Sequence, residues 1–283
     1  MSNSTDFDFI TLFYNKVLEM NINWDVKGLI ANQNTIYAIG NDSKLLGRIF
    51  EIIAAPVIKA IAEEHGYQVK IPDKQNTYPD FTLFKDENDK NKIAIDVKTT
   101  YKEGNKKLGF TLGSFTSFIR DNKKNIAYPY SDYSDHFIIG FIYERNHSAE
   151  EGQIVDYNNL SELPVPYNNV DFFVRKKIDI TGQKKGSGNT DNMGSIACTN
   201  VKEFQYANGP FNYLSDNLYL HYWRNYPKNT QKDKYYLDLE SYFDWLEEHI
   251  QDPKSTHDKN QLQILLEEKE SYNAWKDSTN NIG

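Results

Sequence analysis

Apolar residues recur at helical spacing in three stretches of the chain and alternate with polar ones in several more. Between residues 5 and 20, Phe9, Ile10, Phe13, Val17 and Leu18 fall on one helical face, and Ser4 or Thr5 stands where an N-cap is needed. Residues 44–65 extend the pattern over a longer run. Asp42 or Ser43 can cap that helix, Pro56 is expected to bend it, and Gly66 to stop it. The third stretch, LESYFDWLEEHI at 239–250, is amphipathic. Strands are predicted at 67–71, 80–84, 92–98, 136–143 and 170–174, separated by polar turns, with a short helix at 116–122. Residues 181–195 hold four glycines and two adjacent lysines and read as a loop. A helix followed by a mixed sheet with peripheral helices predicts an α/β or α+β fold.

Composition narrows the class. With 283 residues the chain makes one large domain or two modest ones, and 20 Tyr, 16 Phe and 4 Trp supply a packed core. No apolar run approaches the roughly 18–20 residues that span a bilayer, so no membrane partner is expected. The start, MSNSTD, has neither a basic nor an apolar stretch, so no signal peptide is expected either, and a cytoplasmic location follows. The lone Cys198 excludes an internal disulfide and a cysteine-based zinc site.

The net charge of −8 argues at first against a nucleic-acid partner. Residues 240–283, however, hold ten acids and four bases, a contribution of −6 that leaves −2 for residues 1–239. A near-neutral body can carry a basic cleft, and also carboxylates that are neutralised when metal binds. The expected division is a body over 1–245 and a polar, acidic, partly mobile extension over 246–283 with no assignable role.

The most informative spacing is Pro79-Asp80, fifteen residues, then Asp96-Val97-Lys98. Side chains alternate along a strand, so Ile93, Ile95 and Val97 share one face while Ala94, Asp96 and Lys98 share the other, with Asp96 and Lys98 roughly 6–7 Å apart. A hairpin turning at 86–92 brings Asp80 beside Asp96. Two carboxylates offer hard oxygen ligands to magnesium, and the lysine can orient or deprotonate water or offset charge on a phosphorane-like transition state. Taken alone, such an alternation is commonly a solvated face. Asp96, though, interrupts an otherwise apolar strand, where a stray carboxylate is costly. Glu51 lies in the apolar middle of the long helix, where a plain surface position is the simpler reading.

Two polar stretches join this set. Gly186-Ser187-Gly188-Asn189-Thr190-Asp191-Asn192 fits neither a phosphate-binding loop nor a dinucleotide fingerprint. It reads as a flexible turn or as a base-reading loop, since asparagine can bond adenine bidentately and a threonine methyl can touch that of thymine. Gln75-Asn76 precede Asp80 in a turn that could lie along a nucleic-acid groove. The six histidines show no metal spacing.

These residues carry a resemblance. Phe50-Glu51, Gln75-Asn76, YPDFTL (78–83), KIAIDVKTTY (92–101), FTLGSFTSFIR (110–120), GSGNT with Asn192 and GSI (186–196), and YWRNY (222–226) resemble, in order, the EcoRV-type type II restriction endonucleases of the PD-(D/E)xK superfamily. The resemblance covers about residues 7–245. It implies a restriction-endonuclease-like fold and a U-shaped homodimer clasping palindromic double-stranded DNA. It implies hydrolysis supported by Mg2+, or by Mn2+ in its place, leaving 5′-phosphates. By it, Asp80 and Asp96 are metal ligands, Lys98 the catalytic lysine, and Glu51 an acid of the metal-bearing cleft. Gly186, Ser187, Gly188, Asn189 and Thr190 match the major-groove loop, Asn192 its support, and Gln75 and Asn76 the minor-groove side. Lys44, Thr99, Thr116 and Ser117 match residues near the DNA backbone. GATATC cut bluntly at its centre is the implied site, in a system whose methyltransferase protects host DNA. Asp191 and Thr77 depart from the family's threonine and histidine, and an acid beside the base-reading loop is expected to be repelled by phosphates. A repair or structure-specific nuclease would explain Asp80, Asp96 and Lys98 but not GSGNT. A DNA-binding protein that had lost cleavage predicts a broken metal site.

Overall fold

The computed structural model describes residues 7–186, 191–206 and 209–280. In chain order its helices and strands are α1 (Phe9–Glu19), β1 (Gly28–Ile30), β2 (Thr35–Ile39), α2 (Ser43–Glu64), β3 (Gln68–Lys70), β4 (Phe81–Phe84), β5 (Lys92–Lys102), β6 (Thr111–Ser114), β7 (Tyr133–Arg145), β8 (Glu151–Asp156), β9 (Tyr167–Lys176), α3 (Lys177–Ile180), β10 (Thr181–Lys185), β11 (Asn192–Ser195), α4 (Val201–Gln205), α5 (Asp216–Asn225), α6 (Leu239–Gln251), α7 (Lys259–Leu266) and α8 (Lys269–Asn280).

The central sheet has the order β3-β4-β5-β7-β9, in which β5 and β7 run parallel and the other pairs antiparallel. The mixed sheet with flanking helices is the α+β arrangement expected. The alternation along β5 is realised. Ile93, Ile95 and Val97 enter a core with α1 and α2, while Ala94 enters a second core on the other face with Ile138 and Ile142. That second core continues into an aromatic cluster built from Phe211, Tyr222, Trp223, Tyr236, Tyr242 and Trp245. Burying one such ring is worth ~2 kcal/mol, so this cluster anchors everything placed on it.

The long helix starts at Asp42, whose carboxylate accepts from the Lys44 and Leu45 amides, and the chain leaves it through Gly66 at φ +71°. For α1 the cap is Asp8, whose carboxylate accepts from the Thr11 amide within the first turn; Ser4 and Thr5 lie outside the described residues. Instead of a helix over 116–122 there is one wide turn, Phe115–Ile119, broken at Ser117. Residues 181–195 are not simply a loop. β10 and β11 form an antiparallel hairpin, and β11 pairs onward with β6. The strands approach closely at Gly194, where a Cβ would lie 2.8 Å from the Lys184 carbonyl oxygen.

The boundary expected at 245 falls inside α6, and the extension is built rather than loose. α7 and α8 bury Leu262, Leu265 and Tyr272 against the aromatic cluster. A separate sheet, β1-β2-β8, aligns Leu29 with Tyr37 and Tyr37 with Ile154. All three are exposed, at 56, 44 and 59%. No helix of the described residues is long and apolar enough to cross a membrane.

Candidate active site and nucleic-acid groove

The pairing of Phe81 with Ile95 puts Asp80 across from Asp96, as the hairpin expectation required. Asp80 Oδ2 accepts a 2.7 Å hydrogen bond from the Val97 amide, and Lys98 Nζ lies 2.6 Å from Asp96 Oδ2. Asp96 is only 3% exposed. Burial, then the charge of Asp96, pushes the Asp80 carboxyl well above the usual carboxylate range. Burial would raise Asp96 too, but the positive charges of Lys98 and Lys177 outweigh it and hold Asp96 low. For Lys98 burial opposes the charge, and the attraction of Asp96 and Asp80 wins, so its pKa rises and it stays an ammonium. The pair of carboxylates resists carrying two negative charges at once, which is the condition a cation relieves.

Glu51 lines a cavity together with Asp80 but is paired elsewhere. Its carboxylate pairs with Arg48 Nη1 at 2.5 Å, one helical turn back, and among the described residues no three acids, histidines or cysteines are grouped to hold a metal ion. It stands at the border of the site, where its charge still raises Asp80 and Lys98.

Beside the carboxylates runs an open groove of about 740 Å3. Its walls carry six bases, Lys44, Arg48, Lys98, Lys106, Lys107 and Lys185, against two acids, Glu51 and Glu103. The net negative charge of the chain is therefore misleading locally, as the near-neutral body allowed. Thr99 and Gly186 line the same groove. A smaller cavity of about 230 Å3 brings Gln75, Asn76, Ser117 and Asn192 to Asp80, Asp96 and Lys98. Thr116 lines neither space, and its hydroxyl bonds Ser114 Oγ at 3.1 Å. The Gly186 amide donates to the Asn192 carbonyl at 2.8 Å, closing the described part of the hairpin. Ser187, Gly188, Asn189 and Thr190 lie outside the described residues.

Asp191 is engaged within the fold. Its carboxylate accepts the Asn229 amide at 2.7 Å and its carbonyl accepts the Phe115 amide at 3.0 Å. Thr77 lines the smaller cavity.

Sequence reasoning missed Lys177. Its ammonium is 1% exposed, makes no hydrogen bond among the described residues, and sits 4.3 Å from the Tyr78 ring centroid and 4.8 Å from that of Phe118. Burial lowers its pKa to about 7. Tyr78 in turn bonds His136 Nδ1 at 2.7 Å, and burial followed by the Lys177 charge pulls that imidazole well down. The adjacent lysines at 176 and 177 carried a signal, because alternation must turn one of them inward. Lys176 turns out instead, to Asp135 at 2.7 Å.

The family model for restriction endonuclease EcoRV matches residues 20–247. Type II restriction enzyme EcoRV of Escherichia coli is 43% identical over 235 residues, covering 82% of this chain and 95% of that protein. Among solved structures, NlaIV restriction endonuclease covers 94% of this chain and 89% of its own at 13% identity, with a TM-score of 0.38. With two carboxylates and a lysine meeting in one cavity, the lysine shared with a basic groove, and the family match spanning most of the length, the chain belongs to the EcoRV family and is a type II restriction endonuclease.

Proposed function

We propose that the chain acts as a homodimer that hydrolyses one phosphodiester bond in each strand of a palindromic duplex site, GATATC cut bluntly at its centre, with Mg2+ as cofactor. The observation that carries the chemistry is the convergence of Asp80, Asp96 and Lys98 on the smaller cavity, with Lys98 also on the wall of the basic groove. Their donor set fits magnesium, being two facing carboxylates, of which Asp80 is pushed up first by burial and then by the charge of Asp96. Mn2+ accepts the same oxygens. A bound divalent ion supplies Lewis acidity at the phosphate and a more acidic water.

Asp80 and Asp96 would hold that ion. Asp80 is itself aimed by the Val97 amide, which leaves its other oxygen to the site. Lys98, kept as an ammonium, offsets the charge that grows on the phosphate oxygens. Glu51, turned to Arg48, tunes Asp80 and Lys98 by its charge from the border. Lys44 and Thr99 on the groove wall, with Thr116 and Ser117 near the smaller cavity, meet the DNA backbone. Gln75 and Asn76 face the minor-groove side. The β10–β11 hairpin enters the major groove, where Asn189 reads adenine, Thr190 meets the thymine methyl, Gly186, Ser187 and Gly188 allow close approach, and Asn192 supports the turn.

A second copy is supported by the row Leu29, Tyr37 and Ile154, apolar side chains presented in register on one sheet face. Two-fold symmetry suits a palindrome. A methyltransferase that marks the same site must accompany such a nuclease, and cytoplasmic DNA is its substrate.

The test is a digest of a sequenced plasmid with purified protein and magnesium, followed by sequencing of every fragment end. Blunt ends centred in GATATC support the whole reading. Discrete ends at another sequence keep the chemistry and overturn the specificity. Binding without cutting in magnesium or manganese overturns the catalytic assignment.

A further inference from the structure

The family match ends at residue 247, so α7 and α8 lie beyond it. They do more than cover the aromatic cluster, because their polar contacts run to the elements that hold the β10–β11 hairpin. Glu268, between α7 and α8, accepts from the Ser215 amide at 2.6 Å and from its hydroxyl at 2.5 Å. Ser215 is the N-cap of α5 and accepts the Leu218 amide at 3.2 Å. From α5, Tyr222 donates to the Gln183 carbonyl at 2.5 Å on β10, and the Tyr219 hydroxyl lies 3.4 Å from Met193 Sδ on β11. A second path is direct. Tyr272 of α8 donates at 3.5 Å to Gln183 Oε1, the oxygen that also accepts the Leu239 amide at 2.9 Å.

Both strands of the hairpin are thus held from behind, and both holds lead back to the extension. We propose that α7–α8 is a specificity-determining brace, with Glu268 and Tyr272 as positioning residues that set the depth and angle at which the hairpin meets base edges. The inference rests on the reading of that hairpin as the major-groove reader. Bidentate base contacts have narrow geometry, so a small tilt of β10 weakens readout of the cognate site without touching Asp80, Asp96 or Lys98. A plain structural cap would lower stability and leave selectivity alone.

The experiment compares the full-length protein with the Glu268→Ala/Tyr272→Phe double variant, at sites first mapped for the unaltered enzyme. Cleavage of the cognate duplex and of duplexes with one altered base pair gives kcat and KM for each, alongside thermal midpoints. The expected result is about a tenfold fall in the cognate-to-altered ratio of kcat/KM, part of one bidentate contact, with cognate kcat within about twofold. Glu268→Gln, which keeps an acceptor oxygen for Ser215, should restore most of the ratio when it replaces Glu268→Ala. A lowered midpoint with an unchanged ratio overturns the proposal. Should the double variant fail to fold, Tyr272→Phe alone carries the same comparison, because the ring remains packed against Phe243. An unaltered enzyme that cuts no DNA overturns the reading of the site itself, and does so before any variant is compared.

Discussion

The Val97 amide donates to Asp80 Oδ2 at 2.7 Å, from the residue that separates Asp96 and Lys98. One backbone group thereby ties Asp80, immediately before β4, to β5, which carries the second carboxylate. The donor is a backbone amide, so changing the side chain of Asp96 or Lys98 does not remove it.

Asp96→Asn keeps the shape of the side chain and removes the charge that holds Lys98 and raises Asp80. Cleavage should fall about a thousandfold, the scale of a lost electrostatic contributor, while DNA binding in a gel-shift assay persists. Cutting retained at near the parental rate would move the reacting centre elsewhere.

Lys98→Ala separates two roles. If its ammonium acts on the charge that develops during hydrolysis, kcat falls by about 10²–10³-fold while KM for duplex changes little. Equal losses in binding and turnover would make Lys98 one more phosphate contact of the groove.

Lys177 predicts a pH dependence of stability. Its folded pKa is lowered to about 7 from 10.5, so between those values the unfolded chain holds the extra proton. Stability contributed by this position therefore rises with pH from about 7 to 10.5, and the burial penalty is fully present below pH 7. Lys177→Met should raise the urea midpoint at pH 6, by up to a few kcal/mol in stability, and by less at pH 9. An equal effect at both pH values would show that the ammonium is not the source.

Asn189→Ala should weaken cognate cutting by about 1–3 kcal/mol, one adenine contact, and narrow the gap between cognate and mismatched duplexes. Unchanged discrimination would remove Asn189 from base readout.

Leu29→Glu with Ile154→Glu places two charges on the apolar row of the small sheet. Both side chains are exposed in the single chain, so its fold should hold. Each buried apolar side chain is worth ~2 kcal/mol and enters twice in a two-fold dimer, so sedimentation should show monomers at micromolar protein. An unchanged sedimentation coefficient would place the dimer contact on another face.

Much of the site was legible in the chain itself because its signals are local. The alternation in KIAIDVK was enough to put Asp96 and Lys98 on one face and Ile93, Ile95 and Val97 on the other, and a turn at 86–92 was enough to bring Asp80 alongside. Asp42 and Gly66 marked the ends of α2 by chemistry confined to one turn. Elsewhere the deciding contacts come from far along the chain. Residues 181–195 looked like a loop because glycine weakens strand patterning, yet β11 becomes a strand by pairing with β6, whose partner Ser114 is remote from Asn192. Glu51 turns to Arg48, Asp191 to the Asn229 amide, and Lys177 inward beneath Tyr78, choices that depend on which neighbours arrive. The polar extension becomes helical cover because Leu262, Leu265 and Tyr272 find an aromatic surface to bury against. Periodicity and chain-neighbour chemistry thus determined the five strands of the central sheet, the long helix and the facing carboxylates with their lysine. The tertiary structure alone decided the hairpin, the brace behind it and the positive groove, because burial and pairing are properties of surfaces that meet only once the chain has folded.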